Sequence, residues 1–265
     1  MFEWWQYEFM RTALWAVLLL VPLLSLLGTL VVNNRMSFFS DALGHSALTG
    51  VAIGVLAGVS EYRPVMVLFG VAFALLMNRI RRSRLASTDT VIGVFSSVGV
   101  ALGLTLLSAR GNLSNYQSLL VGDILSITRQ ELWVLGAALA VTLAVWTLCF
   151  NGFFAVSISP SVARSKGLQV ALYDNLFVVL VAVVVMLAIR WVGLLLINAM
   201  LILPAASARN VARSMRSFHL LSVLFGVFSG VLGLLFSYYN GVATGPTVIL
   251  VLAAVFFGTF LLRKK

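Results

Sequence analysis

Asp41 and His45 stand four residues apart in an otherwise apolar run, Ser40-Asp41-Ala42-Leu43-Gly44-His45-Ser46-Ala47-Leu48-Thr49-Gly50. On a helix, side chains at i and i+4 share a face, with Cβ atoms about 5–6 Å apart. A carboxylate oxygen and an imidazole nitrogen so placed can meet one cation. Imidazole suits zinc and its neighbours, and carboxylate suits manganese, so the mixed pair favours a divalent transition ion. A structural zinc site wants about four ligands. Two hold an ion weakly, which suits a path the ion must leave. The same spacing also serves an N-cap, Asp41 acting with Ser37 or Ser40, or a plain Asp–His ion pair. A charged group at mid-bilayer costs roughly 2.5–3.5 kcal/mol, so a pair kept there points to a polar task.

The elements that must carry this pair are membrane spans. The chain of 265 residues is 61% hydrophobic, against about 45–50% in soluble domains. Its polar stretches are too short to bury cores of their own. The fold class is therefore an all-α integral membrane protein with eight or nine transmembrane helices, in one domain covering 1–265. Apolar runs of about 20 residues place spans near 11–32, 37–58, 64–80, 90–108, 131–150, 172–190, 192–209, 219–238 and 246–262; the two short ones, 64–80 and 192–209, leave the count at eight or nine. Cys149 stands alone, which rules out an internal disulfide or a thiolate cluster. The acidic, aromatic start, Glu3 to Glu8, does not read as a cleaved leader, so the first run should remain as a span.

Lys and Arg set the orientation. Thirteen of the eighteen fall in one set of loops: Arg35; Arg79, Arg81, Arg82 and Arg84; Arg164 and Lys166; Arg209, Arg213 and Arg216; Arg263, Lys264 and Lys265. The opposite set holds Arg11, Arg63, Arg110, Arg129 and Arg190, balanced by Glu3, Glu8, Glu61, Asp123 and Glu131. The C-terminus is thus expected in the cytoplasm and, with nine spans, the N-terminus outside. Trp4, Trp5, Trp133, Trp191, Tyr116, Tyr238 and Tyr239 fall at outer span ends, as an interfacial belt predicts. The net charge of +10 is accounted for by topology, without a nucleic-acid partner. His219, beside the arginine cluster, reads as an interfacial residue.

Span two repeats small residues every fourth position, Ala42, Ser46, Gly50, Gly54 and Gly58, and its neighbouring row is Asp41, His45 and Thr49. One face is shaped for close helix packing and the strip beside it is polar. Shorter ridges, Gly99/Gly103 and Gly226/Gly230, read as ordinary helix packing. No long-period repeat or inverted duplication is visible, which disfavours many secondary-transporter folds.

The run from Arg35 to Gly54, centred on Asp41 and His45, closely resembles the signature of permease subunits of bacterial zinc/manganese ABC importers. The run from Val192 to Arg209, ending Leu203-Pro204-Ala205-Ala206-Ser207-Ala208-Arg209, resembles the family's later motif, in which a span runs into a Pro-Ala-Ala turn. Ser159-Pro160-Ser161-Val162-Ala163-Arg164-Ser165-Lys166-Gly167 resembles its short cytoplasmic helix that docks on the ATPase. The resemblance covers essentially the whole chain. Two departures stand out: Thr49 replaces a usual proline, so span two should be straighter, and Ser159 and Ser161 replace usual acids, so the docking contact should differ.

The resemblance implies a type II ABC-importer-like bundle in the bacterial cytoplasmic membrane, surrounded by lipid. A second copy of the chain, two ATPase subunits and an extracytoplasmic metal-binding protein would complete the assembly. Mn2+ or Zn2+, or else iron, would be the transported substrate, with no permanently bound cofactor. The chain has no G-x-x-x-x-G-K-[ST] phosphate loop, so ATP hydrolysis would fall to a partner and the chain would not itself be an enzyme. The coupling segment is expected at 151–171, with Ser159, Pro160, Ala163, Arg164 and Gly167 forming it. There, Ser157 or Ser159 can cap a short helix, Pro160 suits its first position and Gly167 its end. Asn198, Pro204 and the Tyr239-Asn240-Gly241 loop are gating candidates, though Pro204 more simply kinks or ends its helix. Two other readings remain open: a permease for a metal chelate or cobalamin-like cofactor, and an ATP-independent proton-coupled carrier using Asp41 as a relay.

Overall fold

The computed structural model describes residues 3–59, 61–83, 85–109, 122 and 124–262. Tyr116, Arg84, Arg110, Asp123 and residues 263–265, used above for sidedness, lie outside them. The described elements are helices: α1 Glu8–Asn33, α2 Phe39–Leu56, α3 Arg63–Arg82, α4 Thr88–Ser108, α5 Arg129–Ile158, α6 Pro160–Ser165, α7 Val170–Val211, α8 Met215–Asn240 and α9 Thr244–Leu261, with two short 3-10 turns. All but α6 are long and apolar enough to cross a membrane, which makes eight.

The sixth and seventh expected spans merge in α7. Its 42 residues would extend about 63 Å as one rod, twice the roughly 30 Å apolar core of a bilayer. It is broken at Gly193, where φ is 76° and ψ 161°, a conformation open essentially to glycine alone. The break falls between the expected spans 172–190 and 192–209. A Cβ on Gly122 would lie 2.1 Å from the Gly193 nitrogen, so a second glycine lets the two backbones touch. No turn occurs at Pro204, contrary to expectation: the helix continues through Pro204-Ala205-Ala206 to Val211. Proline removes one amide donor from the ladder, and the residues on either side stay helical because this stretch is buried. Ser207 Oγ donates to the Leu203 carbonyl at 2.7 Å.

The chain groups into two compact units. One comprises residues 1–32, 121–146 and 191–265; the other comprises 33–120 and 147–190. In the first, α1 packs through small residues. A Cβ on Gly28 would lie 1.8 Å from the Leu201 carbonyl oxygen of α7, and Gly226 and Gly230 of α8 meet Ser25, Val21 and Val17 of α1. Such contacts replace the hydrophobic drive that lipid cannot supply. Ser222 Oγ donates to the Ser25 carbonyl across the same seam, at 2.9 Å. Trp191 is 3% exposed, so it is interior packing and not the interfacial anchor expected; its place two residues before the Gly193 break turns it inward. Trp5, Trp133 and Tyr239 are exposed as expected. His219 is drawn in too: its Nδ1 lies 2.8 Å from Thr29 Oγ1 of α1, and Trp146 stands edge-on at 5.5 Å.

In the second unit α2 packs chiefly on α4 and α3. Gly103 has no room for a Cβ beside the Thr49 nitrogen, at 2.8 Å, and Gly99 faces Ser46. Gly50 and Gly54 meet Met66 and Tyr62, where α3 begins. Gly58 departs from the expected ridge: α2 ends at Leu56, and Gly58 turns the chain with φ 70° and open space around it.

Candidate functional site

Asp41 and His45 sit in the first two turns of α2. The helix starts at Phe39, with Phe38 as N-cap and no side-chain capping bond. Asp41 is therefore inside the first turn rather than at the cap, where its charge still favours the positive helix end. His45 Nε2 lies 3.6 Å from Asp41 Oδ2. That is long for a hydrogen bond. Two ligands about 2.1 Å from one ion at a tetrahedral angle are about 3.4 Å apart, close to this separation, which is also that of an i,i+4 ion pair. The side chains are 31% and 37% exposed, His45 first, which leaves an approach open. Among the described residues no group of three His, Cys, Asp or Glu gathers here or elsewhere.

The third member of the polar row does something else. Thr49 is buried, and its Oγ1 donates to the Gly99 carbonyl of α4 at 2.6 Å. A threonine within a helix commonly bonds back to its own preceding turn. Here the hydroxyl is spent across the helix pair, so Thr49 locks α2 to α4 one turn beyond His45.

The segment after α5 folds as expected. Ser159 caps α6, its Oγ accepting from the Val162 amide and sitting 2.9 Å from Ser161 Oγ, and Pro160 fills the first position. Gly167, at φ 77°, ends the helix. The Gly167 amide donates to the Arg164 carbonyl at 2.9 Å and the Leu168 amide to the Ala163 carbonyl at 3.0 Å, the paired bonds of a Schellman stop. Ala163 is fully buried and Arg164 exposed.

Sequence reasoning treated the basic residues near α3 only as topology and missed a network. Arg81 Nη2 donates to both Asp174 carboxylate oxygens, at 2.9 and 2.7 Å. It also donates to Asn78 Oδ1, at 2.7 Å, and Asn78 Nδ2 donates to Asn175 Oδ1 at 2.8 Å. Asn78 is fully buried. An Asn and an Asp breaking apolar runs were the available signal, but nothing in their spacing said they would meet. Of the gating candidates, Asn240 and Gly241 close α8, with Gly241 left-handed at φ 63°.

Among the described residues, eight helices of membrane-spanning length, an Asp–His pair on one of them and a short capped helix between two others make the architecture of a membrane transport subunit. A model of the ABC 3 transport family matches residues 6–263, and the chain belongs to that family. It is 31% identical to the manganese import system permease protein ScaB of Streptococcus parasanguinis, over 98% of this chain and 92% of that protein. It is 29% identical to the high-affinity zinc uptake system membrane protein ZnuB of Haemophilus influenzae, over 98% and 99%. The solved structure of PsaBC from Streptococcus pneumoniae in complex with a Fab superposes with a TM-score of 0.84 at 30% identity, covering 97% of this chain and 92% of that one.

Proposed function

We propose that this chain is the permease through which an ATP-driven importer passes a divalent transition-metal ion, manganese or zinc, into the bacterial cytoplasm, with Asp41 and His45 as its transient ligands. The observation that carries the reading is the 3.6 Å bite of the pair on one face of α2. Membership of the ABC 3 transport family and likeness to permeases named for manganese and zinc support the substrate class. An arriving dication offsets the cost of holding the Asp41 anion away from bulk water. Water, or the matching pair of a second copy, completes the coordination. Because the protein supplies only two side chains, the ion is held loosely enough to move on.

Energy comes from partner ATPase subunits, and the ion is delivered by an extracytoplasmic binding protein. The segment Ser159 to Gly167 is the coupling element: the Ser159 cap and the Gly167 stop hold six residues as a rigid peg, Ala163 anchors it inward, and Arg164 faces out. The arginine asymmetry supports a cytoplasmic side for this segment and the C-terminus. In cells lacking their own permease, Asp41→Ala and His45→Ala should each lower accumulation of radioactive Mn2+ or Zn2+ at least about tenfold while leaving membrane levels of the protein unchanged. Undiminished uptake in both variants would overturn the assignment. Competition by free Mn2+ or Zn2+, and not by chelates, separates this reading from a chelate permease.

A further inference from the structure

A cavity of about 880 Å³ opens in the second unit among the ends of α3, α5 and α6, the starts of α4 and α7, and the linker before α2. Five arginines line it, Arg35, Arg79, Arg81, Arg82 and Arg164, against one carboxylate, Asp174. That carboxylate is already taken by Arg81 at 2.7 Å, with Arg82 at 3.9 Å. Among the described residues no acid pairs with Arg35, Arg79 or Arg164. Arg35 also holds φ at 55°, the one non-glycine residue with positive φ among the described residues. Such an outlier persists only where its surroundings impose it.

We propose that this cavity seats the phosphate of an anionic phospholipid from the cytoplasmic leaflet. Guanidinium forks match phosphate oxygens two at a time, and basic pockets between transmembrane helices on the cytoplasmic side take such headgroups. The wall is not wholly polar: Leu75, Val156 and Val170 contribute. From its rim an exposed apolar row, Ile80, Leu76 and Leu68, runs up α3, where acyl chains would lie. A soluble phosphate would use the arginines alone; the apolar row favours a lipid. The site depends on the orientation proposed above and not on the metal reading.

The test is lipid retention by the purified full chain in detergent, read by native mass spectrometry after adding phosphatidylglycerol or phosphatidylcholine. Phosphatidylglycerol should be retained and raise the thermal midpoint, phosphatidylcholine should do neither, and millimolar inorganic phosphate should neither raise it nor displace the lipid. Arg35→Gln with Arg79→Gln should cut retention about tenfold. Arg213→Gln with Arg216→Gln, which removes equal charge elsewhere, should leave retention intact. Arg35→Lys with Arg79→Lys keeps the charge and checks folding. Equal retention of both lipids, stabilisation by phosphate alone, or lipid binding unchanged in the Gln pair while ATPase association is lost would each overturn the proposal. The last would mark the cavity as a seat for an acidic side chain of the ATPase.

Discussion

That Asp41 and His45 are neighbours was legible from their spacing, because a helix brings any i,i+4 pair together. Their 3.6 Å separation was not legible, since it depends on rotamers. The destination of Thr49 was hidden for the same reason: its partner is a carbonyl fifty residues away. Asp174 is the residue whose importance lay furthest from view. Its carboxylate and the Arg81 guanidinium are only 12% and 14% exposed, and removing one partner of a buried pair leaves a charge stranded. Asp174→Ala should lower the unfolding free energy by about 3 kcal/mol, measured by chemical denaturation in detergent. Asp174→Ala combined with Arg81→Met should recover most of that loss, because no stranded cation remains.

At the scale of elements, hydropathy placed most span ends within a few residues, though α5 runs on to Ile158, well past the expected end at 150, and nine expected runs became eight membrane-length helices among the described residues because two join end to end across Gly193. A run of apolar residues says how long a span is and not whether its neighbour continues in the same ladder. Gly193→Ala forces a side chain into a conformation worth about 1–3 kcal/mol of strain, and the purified protein should melt earlier. Pro204 misled because a proline predicts a break more often than a buried helix allows one. Among the close contacts, Gly28→Ala would drive a methyl into the Leu201 carbonyl, whereas Gly136 has open space around it. Gly28→Ala should cost about 2 kcal/mol or more and Gly136→Ala almost nothing, comparing thermal midpoints of the two variants in one detergent.

For the molecule as a whole, composition and the arginine asymmetry were enough to read a polytopic helical membrane protein, and family membership is shown over residues 6–263. The grouping into two compact units was not visible, because both α5 and α7 pass from one unit to the other without any change in composition. The purified chain alone in liposomes should not accumulate metal, and adding the cognate ATPase with ATP should restore uptake; accumulation without the ATPase would indicate a stand-alone carrier. The seam between α2 and α4 carries one more implication. With Gly103 pressed on the Thr49 backbone and the Thr49 hydroxyl tied to Gly99, the shelf bearing Asp41 and His45 has no slack with which to grip harder or let go. On the proposed reading of the pair as metal ligands, loading and discharge of cargo would have to be timed by movement elsewhere and not by this part of α2.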